Sequence, residues 1–209
     1  MSRALRELLE HPALWRGRSA APARTYSTGF PALDEGLPGG GWPQTGLIEI
    51  LPSCFGSGEL ELLLPLLAAV TRRPEGRWCL WVAPPLQPFA PALAAGGVTL
   101  ERVLVAQVPS GEGAGGGGGL WAFEQALRSG ACDIALAWAR QSPPRQIRRL
   151  QLAAERGATL GVLFRPSGAA REPSAAVLRL GVEARERGAR VHLLKSRGGA
   201  RGAIELLWR

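Results

Sequence analysis

The stretch G-L-I-E-I-L-P-S-C-F-G-S-G-E-L, residues 46 to 60, decides how the chain is read. Its first six residues, Gly46 to Leu51, are an apolar run of strand length. A loop of glycine and serine follows, and from Glu59 to Thr71 the apolar residues point to a helix. Strand, glycine-bearing loop and helix form the repeating unit of an α/β protein.

That unit recurs downstream. Trp78 to Ala83 reads as a second strand, followed by a Pro-rich turn and a helix around Ala90 to Ala95. Val103 to Val108 is a third strand, and Gly111 to Gly119 is nearly all glycine, a flexible loop by composition. Leu120 to Ser129 is helical and Ile134 to Ala139 is a strand. Pro143 and Pro144 open a helix to about Arg156, with Ile147, Leu150 and Ala154 at helical spacing, and Thr159 to Phe164 is the next strand. Beyond Arg165 a polar loop, Pro166 to Pro173, leads to short strands near Val177–Val182, Arg190–Lys195 and Ala203–Trp208. Upstream, Ser2 to His11 is a short amphipathic helix with Leu5, Leu8 and Leu9 on one face. The expected architecture is a helix-and-linker arm over residues 1–25 and one α/β domain over 26–209. Its sheet is mainly parallel and flanked by helices, with antiparallel edge strands from the tail.

Composition limits the classes available. Of 209 residues 46% are hydrophobic, enough for a real core. The longest apolar run, Leu62 to Val70, is broken by Pro65 and is too short to cross a bilayer. The first ten residues carry two acids and no long apolar core, unlike a signal peptide. Cys54, Cys79 and Cys132 are far apart and odd in number, which fits a reducing cytoplasm. Lys and Arg number 25 against 17 Asp and Glu, and Lys195 is the one lysine. A net charge of +8 is compatible with phosphate contacts, but abundant Ala, Gly, Pro and Arg also follow from a GC-rich coding sequence.

From Ser27 onward the chain resembles bacterial RecA: S-T-G-F-P-A-L-D, L-P-G-G-G-W-P, R-S-G-A-C-D-I-A-L and V-H-L-L-K-S-R occur in register. The resemblance implies a RecA-like fold whose nucleotide site is degenerate at Gly56, Ser57, Gly58, Glu59, Leu60, Pro84 and Trp138. Glu59 stands where a phosphate-binding lysine is required and Leu60 where a Mg²⁺-holding hydroxyl is required. Pro84 stands for the water-orienting Glu and Trp138 for the Mg²⁺-supporting Asp. Read without the resemblance, Glu59 is an acidic residue in the first turn of a helix. No catalytic group, cofactor or metal is expected; His11 and His192 are isolated.

LPGGGWP, WVAPP, LWAFEQALRSGACDIALAW and LLKSRGG further resemble the ImuA family of translesion-synthesis accessory proteins. That resemblance implies a cytoplasmic, SOS-regulated, non-catalytic protein bridging RecA and an ImuB-type polymerase relative with its error-prone polymerase complex. Lys195 and Arg197 would then face a RecA-bound nucleotide, and Leu5, Leu8 and Leu9 would dock on a partner. A surface basic hairpin, and a helix folded on its own core, are the plainer readings of the two groups. Arg145, Arg148, Arg149, Arg165 and Arg171 form a possible DNA-binding face, or a solvated one. Trp78, Trp81, Trp138 and Trp208 are expected in the core, Trp42 and Trp121 partly exposed. The alternative function is that of the SulA-like SOS division inhibitors, which bind the tubulin-like division protein.

Overall fold

A computed structural model describes residues 24–108, 117–196 and 202–208. The expected N-terminal helix with Leu5, Leu8 and Leu9, most of the glycine run, and Arg197 lie outside the described residues. β1 (Thr25–Tyr26) pairs antiparallel with β2 (Trp42–Pro43), with α1 (Pro31–Gly36) between them. Asp34 fixes this entry segment by accepting hydrogen bonds from the Ser27 hydroxyl and the Thr28 N–H, each at 2.7 Å.

The main elements then run β3 (Gly46–Pro52), α2 (Leu64–Thr71), β4 (Trp78–Val82), α3 (Ala90–Ala95), β5 (Val103–Ala106) and α4 (Gly117–Ser129). They continue as β6 (Cys132–Trp138), α5 (Pro144–Arg156), β7 (Leu160–Phe164), β8 (Leu178–Arg185), β9 (Gly188–Ser196) and β10 (Gly202–Leu207). The described strands of this sheet lie in the order β10-β9-β8-β3-β7-β6-β4-β5. β8, β3, β7, β6, β4 and β5 are mutually parallel, whereas β9 and β10 are antiparallel to their neighbours. β3, β6 and β7 are buried at every position, which is why their sequences are apolar apart from Glu49 and Asp133. One face packs on α1, α2 and α3 through residues such as Leu33, Leu66, Leu67 and Leu93. The other packs on α4 and α5 through Phe123, Leu127, Ile147 and Leu150.

Several expectations are corrected here. The RecA-like, mainly parallel sheet flanked by helices gives way to a mixed sheet with few helices. The physical reason lies in β8 to β10: the two residues between β8 and β9 allow only antiparallel return. The outer face of these strands carries the pairs Arg185–Glu183, His192–Glu183 and Arg190–Glu205, whose side chains are partly exposed, and no described helix covers it. α1 and α3 are only six residues each. The helix expected from Glu59 begins at Leu64, with Pro65 in its first turn, and residues 59–63 are turns. Trp42 is fully buried instead of partly exposed, and Trp78 is 40% exposed instead of buried.

Arg165 is also corrected. It is 1% exposed, withdrawn from any surface. Its guanidinium binds Glu49 at 3.0 Å and Glu172 at 2.6 Å, and Arg179 pairs with the other oxygen of Glu49. Arg179 also donates to the carbonyls of Ala169 and Glu172 at 2.7 and 3.0 Å. The 166–173 segment, read as a polar loop with Arg171 on a possible DNA-binding face, is pinned onto the sheet by two buried arginines, with residues 167, 168 and 170–173 exposed. A carboxylate buried at Glu49 is sustained only by such pairing.

Candidate partner-docking surface

The loop after β3 turns through Gly56 and Gly58, whose φ values of 82° and 94° suit glycine. Glu59 folds back over it: its two carboxylate oxygens accept the N–H groups of Gly56 and Ser57 at 2.8 and 2.9 Å. The Ser57 hydroxyl donates to the Cys54 carbonyl at 2.7 Å. Glu59 is 3% exposed, so the chain's own carboxylate occupies the place of an anion on this loop. Trp138 is buried at 4% exposure, stacked on Phe164 with centroids 4.8 Å apart and leaning on Trp81 at 5.9 Å. The residues read as a degenerate nucleotide site therefore divide between a self-satisfied loop and an aromatic core. Leu60 and Pro84 are half-buried.

The remaining sequence-derived residues are dispersed. Lys195 lies on β9, level with Arg179 on β8, and donates to the Ser174 carbonyl at 2.7 Å. Arg145, Arg148 and Arg149 are on the outer side of α5, with Arg149 bound to Glu124 at 2.8 Å. Arg171 is exposed at the end of a short turn, Ser167–Arg171. Among the described residues no group of His, Cys, Asp and Glu is arranged to hold a metal. No described helix is long and apolar enough to cross a membrane.

What sequence reasoning missed is an apolar surface at the β5 edge of the sheet. Among the described residues Trp78, Leu86, Phe89, Leu104, Val105, Trp121, Leu152 and Leu207 are the exposed large hydrophobics. The first five belong to the unit β4–α3–β5, where Val105 is level with Trp81 on the groove side of the sheet and Leu104 is level with Leu80 on the opposite face. Phe89 and Leu86 are 70% and 66% exposed, where burial of each would be favourable by about 1.5–3 kcal/mol. Phe89 rims a cavity of about 140 Å³ lined by Leu60, Leu64, Trp81, Pro88 and Leu93, with Glu61 as its charged member. Ala83, at φ 46°, turns the chain out of β4 into the segment whose Pro88 and Phe89 line this groove. Among the described residues β5 has a neighbouring strand on one side only, and Val103 to Ala106 carries no charge to blunt that edge. The signal in the sequence is Pro84 to Pro91, where Leu86 and Phe89 stand between prolines in a segment that ought to be polar.

A concave apolar groove, an open strand edge and the absence of any convergent acid, base or nucleophile among the lining residues suit protein recognition. Residues 57–161 match the family model described as "Cell division inhibitor SulA". The chain is 32% identical over 125 residues to a cell division inhibitor SulA of Edwardsiella piscicida, spanning 59% of this chain and 70% of that one. It is also 32% identical over 120 residues to a cell division inhibitor SulA of Photorhabdus laumondii, spanning 56% of this chain and 62% of that one. The crystal structure of SulA from Pseudomonas aeruginosa is a distant likeness, with 24% identity and a TM-score of 0.47, covering 57% of this chain and 97% of that one. The family and relative matches overturn the resemblance to the ImuA family. With it go the assignments to translesion synthesis and to RecA and an ImuB-type polymerase complex as partners. The matched segment contains α2, α3, the open edge at β5 and the apolar groove, and on these matches the chain belongs to the SulA family.

Proposed function

We propose that the protein is a non-catalytic inhibitor of cell division that acts in the cytoplasm, as part of an SOS response, by binding the tubulin-like division protein. The observation that carries this reading is the apolar β4–α3–β5 surface lying inside the family segment. Phe89 and Leu86 supply anchor side chains of the kind that concentrate binding energy, and the cavity behind Phe89 leaves room for a partner side chain. The reading needs no catalysis. The glycine loop is already satisfied by Glu59, so it offers no free N–H pair at Gly56 and Ser57 to a phosphate. Inhibition follows from occupancy: a bound chain blocks the face through which division-protein subunits add to one another.

The test is polymerisation of a bacterial division protein, followed by sedimentation with GTP and increasing amounts of this chain. Stoichiometric loss of polymer is expected. Unchanged assembly at excess chain contradicts the proposal.

A further inference from the structure

We propose that the outer face of α5, together with Arg140 just before it, is a second docking surface, for the phosphate backbone of nucleic acid. α5 buries Ile147, Leu150, Gln151, Ala153 and Ala154 against the sheet. The opposite side presents Arg145, Arg148, Arg149 and Arg156, at spacings of three, four and seven residues that align side chains on one helix face, around Leu152, which is 54% exposed.

The carboxylates near this face are engaged. Glu124 is only 8% exposed and is held by Arg149, and Glu155 accepts from the Gln151 amide at 2.7 Å. The first turn of α5 holds no acid. Among the described residues no carboxylate pairs with Arg140, Arg145, Arg148 or Arg156, unlike Arg77, Arg165 and Arg179, which are tied into the fold.

Among the described residues, four exposed guanidiniums without carboxylate partners outweigh the one exposed carboxylate of this helix, Glu155, so the face is net positive and its complement is a polyanion. Arg145 to Arg156 spans ~16 Å at ~1.5 Å per residue. That length follows about five base steps at ~3.4 Å each. Guanidinium forks bind phosphate oxygens in pairs, which favours a phosphodiester over a diffuse charge. No base-reading group accompanies the arginines, so the contact is sequence-independent and salt-sensitive. This face lies on the side of the sheet opposite α2 and α3, so nucleic acid and a partner on the apolar groove can be held together. The inference does not depend on the division-inhibitor reading.

The full chain is titrated into a labelled DNA duplex of random sequence, and separately into one of its strands, with fluorescence polarisation at low salt. Binding is expected, with log affinity falling against log salt at a slope of roughly −3 for three to four neutralised phosphates. Arg145→Glu/Arg148→Glu should weaken it by at least about tenfold and reduce the slope by about 2. Arg145→Gln/Arg148→Gln, with melting curves for both variants, separates charge from folding. Tighter binding of the strand than of the duplex would identify single-stranded nucleic acid as the source of the phosphates. Absence of binding by the unaltered chain, or equal binding by the charge-reversed variant, overturns the proposal. Loss of division-protein binding with oligonucleotide binding intact also overturns it, and assigns the face to an acidic protein surface.

Discussion

Glu49 is the residue on which the polar interior turns. Its carboxylate is wholly buried in the central strand β3, and it compensates Arg165 and Arg179 at once. Glu49→Gln leaves Arg179 buried without a carboxylate partner and Arg165 with only the half-exposed Glu172. Breaking such a set costs about 3–5 kcal/mol, read as a lower urea midpoint at unchanged m-value. A loss below about 1 kcal/mol would show the arginines reaching solvent and contradict the buried arrangement. None of this was legible in sequence. Arg165 follows a strand and precedes Pro166, the position of an ordinary surface residue, and Glu49 sits in an apolar run with no mark of a partner 116 residues away. Glu59 was legible as a misfit for phosphate binding. Its closure over Gly56 and Ser57 was not, because that depends on the loop's dihedral angles.

Among the elements, the strands were the most readable, since β3, β6 and β7 are buried on both faces and are apolar except for the paired Glu49 and Asp133. The start of α2 was misplaced by five residues because Glu59 is consumed by the loop before it, a local competition that periodicity does not record. α5 was placed closely, since Pro143 and Pro144 mark its beginning and Gly157 its end. Its beginning is electrostatically poor: no side chain caps it, no acid occupies its first turn, and Arg145 and Arg148 add positive charge to the positive end of the dipole. Gln146→Glu should therefore raise stability by about 0.3–1 kcal/mol, seen as a higher melting temperature at low salt that fades in high salt. A lower melting temperature would mean that the first turn already has an anion of its own.

At the scale of the molecule, the thiols report how tightly the sheet is closed. Burial pushes the Cys79 thiol up to about 12 and raises that of Cys132, while Cys54 is exposed. A thiol reagent at neutral pH should consume one cysteine quickly in the folded chain and three after denaturation. Fast reaction at a second site would show the β4–β6 region opening. The same burial fixes the alkaline limit. From an ordinary thiol value of 9.0 up to about 12, an unfolded chain releases the Cys79 proton that the folded chain retains, so stability falls as pH rises through that window. Below it this group contributes no pH dependence. Tyr26, raised mainly by burial and then by the Asp133 charge, adds in the same direction. A melting temperature that stays level across pH 9 to 12 would contradict this account.

The family was half-legible in the sequence, which offered the division inhibitors as an alternative. Shared motifs ranked them below a relative with which the segment 57–161 does not agree. The docking surface was not legible, because exposure of Leu86, Phe89, Leu104 and Val105 follows from where β5 ends the sheet and not from local pattern. The central claim is that this apolar edge binds the division protein. Its most direct measurement is calorimetric titration of that protein with the intact chain and with Phe89→Asp, a substitution at a 70% exposed site that leaves the core untouched. Binding by the intact chain, weakened about thirtyfold or more by Phe89→Asp at unchanged melting temperature, is the predicted result, as for loss of an anchor worth about 2 kcal/mol or more. Equal affinity of the two chains would contradict it.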